Sequence, residues 1–152
     1  MCIALNPSKT VATAFTLLLG ILAGTSFAAD KSYEAFGHYK VHYSVFNSSF
    51  IQPDIARLYN ITRGKDQALV NIAVTDNHSK GGIAANITGT ATNLMQQQKT
   101  LKFIEVREKN AVYYLAPLRF SNEEVLNFSI KINPADQSPY VLKFTKTLYV
   151  DN

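Results

Sequence analysis

The 152-residue chain contains one cysteine, Cys2, and no tryptophan. Cys2 falls in a leader whose pattern predicts removal, so the remaining chain offers no disulfide, no thiolate nucleophile and no cysteine metal site. Many small exported domains rely on disulfides. This one must be held together by its apolar core. Long apolar runs are also scarce: the run from Val11 to Ala23 is well short of the ~20 residues that span a bilayer. Nor is there a block of one charge. The 15 Lys and Arg and 11 Asp and Glu are dispersed, unlike the clustered basic face of a nucleic-acid binder. The motifs of common catalytic folds are missing as well. There is no GxxxxGK(S/T) phosphate loop and no G-x-S-x-G elbow around any serine. Glu123 and Glu124 are adjacent, so they are not the facing carboxylates of a glycosidase. These absences lead us to expect no enzyme activity, no cofactor and no metal site.

What is present begins with the leader. Lys9 precedes the apolar run, and Ser26 and Ala28 put small residues at the −3 and −1 positions of a cleavage site. The expectation is a signal peptide over 1–28, cleaved after Ala28, and one domain over 29–152. No transmembrane segment is expected after cleavage.

The stretch from Gly37 to Arg63 organises the rest. Tyr39, Val41, Tyr43 and Val45 alternate with His38, Lys40, His42 and Ser44, the period-two signature of a strand with one buried face. Pro53 suits the first position of a helical turn, and Asp54 suits its dipole. Ile55, Leu58 and Tyr59 follow at i, i+3 and i+4, which predicts that they lie against the sheet. Further strands are expected over Ala68–Thr75, Ile83–Leu94, Leu101–Val106, Val112–Phe120, Leu126–Ile132 and Tyr140–Val150. A change of parity near Phe103 predicts a bulge. Pro117 predicts an edge strand or a strand end. Ser121 with Glu124 reads as a capping box opening one helical turn. The fold class is all-β: an immunoglobulin-like antiparallel β-sandwich of about seven strands with one short helical turn, a small barrel being the alternative.

Candidate site residues are few. His38 and His42 share a strand face, but four residues along a strand span roughly 13 Å, too far for one metal ion. His42 remains a candidate binding group, as does Tyr43. Arg57 and Arg63 bracket the end of the helical turn and could hold an anion or a partner's carboxylate. His78, in the DNHSKGG loop with Asp76, is the last candidate. The early aromatics, Tyr33, Phe36, Tyr39, Tyr43, Phe46, Phe50 and Tyr59, read first as core.

The run G-H-Y-x-V-H-Y-x-V-F-N-S-S-F, then P-D-I-A-R-L-Y-N-I-T-R, A-L-V-N-I-A-V and the closing F-S-I-K-I-N-P and F-T-K-T-L-Y-V resembles the DUF4426 family of exported Gram-negative bacterial proteins. That resemblance runs from about Tyr33 to the end. It implies a periplasmic β-sandwich with no assigned activity, and no catalytic residues to carry over. The leading functional expectation is a non-catalytic module that binds another periplasmic or envelope protein, or a peptide, by strand addition near Pro117 and Phe103. Second comes a small-solute binder or sensor using Tyr43, His42 and Arg63. Third is a metal-dependent or hydrolytic enzyme on His78 and Asp76.

Overall fold

The computed structural model describes residues 32–78, 81–135 and 138–151. The expected signal peptide lies outside them. In chain order the strands are β1 (Tyr33–Phe36), β2 (Tyr39–Asn47), β3 (Gln67–Asp76), β4 (Ala85–Asn93), β5 (Gln98–Leu101), β6 (Ile104–Glu108), β7 (Ala111–Arg119), β8 (Glu124–Pro134) and β9 (Tyr140–Leu148). A 3-10 turn (Ser48–Phe50) and a short helix α1 (Pro53–Leu58) lie between β2 and β3. The strands form two antiparallel sheets, ordered β1-β2-β3-β7-β6 and β5-β4-β8-β9. This is the expected all-β sandwich.

Alternation built it. Val41 on β2, Val70, Ile72 and Val74 on β3, and Ala116 on β7 meet Ala91, Leu126, Phe128, Ile130, Ile132 and Leu142 of the facing sheet. Each fully buried side chain of this kind contributes about 1.5–3 kcal/mol relative to exposure. The Tyr43, Phe144 and Phe128 rings continue this core as a stacked row, with centroids 4.6 and 4.7 Å apart.

The structure corrects four readings. The chain has nine strands among its described residues, because Tyr33–Phe36 forms a hairpin with β2 across Gly37 (φ 61°) and because the Leu101–Val106 stretch divides. The parity change near Phe103 is not a bulge. β5 belongs to one sheet and β6 to the other, so the chain changes sheets there and its inward parity resets. Ser121–Glu124 opens no helix. It is a turn with Glu123 at φ 58°, although Glu124 still reaches back to accept the Ser121 N–H at 2.8 Å, as a capping glutamate would.

The fourth correction concerns α1, which covers part of the outer face of the first sheet. Its packed residues are Ala56 and Tyr59, which join Ile61, Leu69, Phe46, Ile51 and Leu115 in a second core. Ile55 and Leu58 face solvent instead. The reason lies at the helix end. Asn60 sits in the left-handed region (φ 53°), and the N–H groups of Asn60 and Ile61 donate to the carbonyls of Arg57 and Ala56. That is the Schellman pattern, which brings the residue after the cap onto the helix's third-last residue. Ile61 thereby lands on Ala56, and this contact selects the buried face.

Candidate functional site

Six large apolar side chains remain exposed at one end of the sandwich: Phe50, Ile55, Leu58, Leu94, Met95 and Tyr149. It is the end where β2, β4, β7 and β9 finish and β3, β5 and β8 begin. Phe50 and Leu58 are 76% and 71% exposed. Among the described residues only Tyr33 and Val141 are comparably large, apolar and exposed elsewhere. Scattered single apolar residues are ordinary on a surface; a concentration at one end is a signal of contact.

Each part of this end is fixed by polar bonds beneath it. The buried Ser48 hydroxyl accepts the Gly64 N–H at 3.0 Å. Arg63 donates to the Ser49 carbonyl at 2.9 Å. The Asn47 amide donates to the Tyr149 carbonyl (2.9 Å) and to Asp151 (2.6 Å), and the Ser49 hydroxyl bonds the other oxygen of that carboxylate. The loop carrying Phe50 and the exit carrying Tyr149 are thus tied together. At the β4–β5 turn the buried Asn93 accepts the N–H groups of Met95 (3.1 Å) and Gln97 (2.9 Å) and donates to the Gln97 side chain at 2.7 Å. With Gln96 at φ 63°, this turn holds Leu94 and Met95 outward.

A cleft of about 630 Å³ opens between these parts, lined in part by Asp66, Lys99, Pro117, Arg119 and Val150. Its charges are internally paired. Arg119 bonds Asp66 at 2.7 Å, and Lys99 reaches Glu124 at 3.5 Å and the Arg119 carbonyl at 2.9 Å. Burial alone would raise the Glu124 carboxyl pKa. The Ser121 N–H, the Asn93 amide and Lys99 outweigh it and hold the group below its usual value of 4.5.

The sequence-nominated residues divide. Arg57 is exposed on α1 next to Leu58, at the apolar end. Arg63 belongs to the same end, where its bond to Ser49 gives it a structural role. His42 and Tyr43 are successive strand residues and point to opposite faces. Tyr43 stacks on Phe144 toward the core. His42 lies on the outer face, its Nε2 3.1 Å from the Thr75 hydroxyl. There it lines a cleft of about 480 Å³ with Asn71, Ala73, Thr75 and Tyr113, and the buried Asn71 Oδ1 has no hydrogen-bond partner among the described residues. Tyr43, His42 and Arg63 therefore do not converge on one site. His78 lies at the opposite end, its backbone N–H donating to Asp76 Oδ1 at 2.9 Å. Its ring is 5.8 Å from that of His38, centroid to centroid.

β7 lies between β3 and β6, so Pro117 is not on an edge strand but near a strand end, and that end offers little to an added strand. Phe120 donates its N–H to the Asp66 carbonyl, and strand alternation then turns the main-chain groups of Pro117 and Arg119 away from β3. The β6 ladder stops at Ile104 opposite Leu115, so β6 does not pair this end of β7, which is why proline is tolerated. But Pro117 has no N–H to offer and Lys99 occupies the Arg119 carbonyl. Sequence reasoning missed Ile55, Leu58, Leu94 and Met95 as surface. A helix of six residues admits two apolar faces, and only the choice of Ala56 for the interior could have revealed it.

Among the described residues no helix is long and apolar enough to cross a membrane. Similar solved structures include a DUF4426 family protein from Pseudomonas aeruginosa PAO1, 33% identical, with a TM-score of 0.72, covering 79% of this chain and 95% of that one. FetP of uropathogenic Escherichia coli, recombinantly expressed in the periplasm, matches at 10% identity and a TM-score of 0.57, covering 79% and 94%. A copper-bound variant of FetP matches at 9% and 0.56, covering 78% and 94%. At such identities these two share the fold. No curated protein sequence matches. The model of the domain of unknown function DUF4426 matches residues 33–151, and with the Pseudomonas relative it establishes that this chain belongs to the DUF4426 family.

Proposed function

We propose that this is an exported, periplasmic, non-catalytic module that docks another envelope protein on its apolar end. The observation that carries the reading is the exposure of Phe50, Ile55, Leu58, Leu94, Met95 and Tyr149 on anchored turns. Pre-ordered apolar groups lose little conformational entropy on binding. Arg57 beside Leu58 gives the face a cation, so the partner segment is apolar with a carboxylate near its edge. The leader pattern, with Ser26 and Ala28 at the cleavage positions, supports export. Expression of the structurally similar FetP in the periplasm is consistent with the compartment.

The test is photo-crosslinking in living cells, with a photoreactive residue placed at Leu58 or at Val141 on the edge strand β9. We expect one stoichiometric adduct from position 58, lost on Phe50→Ser, and none from 141. Adducts from 141 alone would move the docking surface to the β9 edge.

A second reading rests on the His42 cleft, where Asn71 Oδ1 is buried without a hydrogen-bond partner among the described residues and would accept a ligand's donor once the Asn71 side chain turned into the cleft. A small polar solute bound there would raise the melting temperature saturably, and Asn71→Leu would abolish that rise.

A further inference from the structure

We propose that His38 and His78 form a surface site for a late first-row divalent metal ion, taken up most strongly as Cu²⁺. The two residues are distant in sequence and meet because two turns are bonded together. The Asn77 N–H donates to the His38 carbonyl at 3.0 Å. The Asp76 carboxylate, by accepting the His78 N–H, fixes the loop that carries the second imidazole.

The ring spacing suits one shared ion. With a metal–nitrogen distance of about 2.0–2.1 Å and roughly 1.2 Å from nitrogen to ring centre, two imidazoles on one ion have centres about 5.3 Å apart at a tetrahedral angle and about 6.5 Å apart when opposed. The observed 5.8 Å lies between these limits, with the rings tilted by 50°; tetragonal Cu²⁺ with cis imidazoles, whose ring centres are about 4.6 Å apart, takes a small turn of the exposed His78 side chain. No group of three or more His, Cys, Asp or Glu side chains gathers around a metal position among the described residues. The proposed site is thus built on two imidazoles. Neutral imidazole favours Cu, Ni and Zn, and affinity for a given site peaks at Cu²⁺. His78 is exposed and His38 half-buried, so ion exchange needs no opening of the fold.

The experiment is calorimetric titration of CuCl₂ into the purified, tag-free protein, with electron paramagnetic resonance of the loaded sample. The expected result is one saturable Cu²⁺ per chain, with hyperfine structure from two nitrogens. Replacing an imidazole by a non-ligand in His78→Gln or His38→Ala weakens binding at least about tenfold, whereas His42→Ala leaves it unchanged. His78→Gln is the decisive variant, because an exposed turn position tolerates substitution without unfolding, which circular dichroism verifies. Absence of saturable binding overturns the proposal. So does binding that survives both His38→Ala and His78→Gln, which would mark adventitious copper at the chain terminus or elsewhere.

Discussion

Whether Leu58 is surface or core decides both the packing of α1 and the docking proposal, and one pair of substitutions settles it. Leu58 is 71% exposed, so less than a third of its surface is buried. Full burial of a leucine is worth about 1.5–3 kcal/mol, which caps its contribution at about 0.9 kcal/mol. Leu58→Gln has nearly the same helix propensity, so helix formation adds no confounding loss. Leu69, directly below the helix, is fully buried among Ala56 and Ile61. Leu69→Ala should cost about 2–5 kcal/mol, with the spread set by how far the cavity collapses. In urea unfolding, Leu58→Gln should shift the midpoint slightly at unchanged m. For a domain of this size a kilocalorie moves the melting temperature by about 3–5 °C. The expected falls are thus under about 5 °C for Leu58→Gln and about 6–25 °C for Leu69→Ala. A loss above about 2 kcal/mol from Leu58→Gln would refute the reasoning, because α1 would then pack through its Ile55–Leu58 face as its spacing suggests.

Two more outcomes follow from the geometry. Glu124 has a depressed folded pKa, so its contribution to stability is fully present above its usual value of 4.5 and is lost as the pH falls through the lower folded value; Glu124→Gln should flatten the acid limb of a stability–pH curve in that window, and an unchanged limb would reject the assignment. Gly82 has no room for a side chain, since an added Cβ would lie 2.3 Å from the Val112 nitrogen and 3.1 Å from the Ala111 carbonyl carbon. Both are backbone atoms, so Gly82→Ala should cost about 1–3 kcal/mol, measured as a lower urea midpoint, and an unmoved midpoint would show that the loop yields freely.

Local pattern alone determined much of this protein. Period-two runs placed β2, β3, β7, β8 and β9, and Pro53 marked the start of α1, because alternation and proline geometry act within a few residues of one another. The family signature across residues 33–151 was equally legible. What the tertiary structure decided were matters of partnership between distant segments. The parity change at Phe103 carries the same sequence signature whether a strand bulges or leaves for the other sheet, and only the pairing of β6 with β7 distinguishes them. The spacing of Ile55, Leu58 and Tyr59 defines a face of α1 but not what lies beneath it. The contact of Ile61 with Ala56 over Leu69 turned that face outward. His38 and His78 are brought together by a main-chain bond between two turns, a meeting no local spacing encodes. Short-range periodicity is written residue by residue, whereas the choice between two equally apolar faces, and the meeting of two loops, is set by long-range packing.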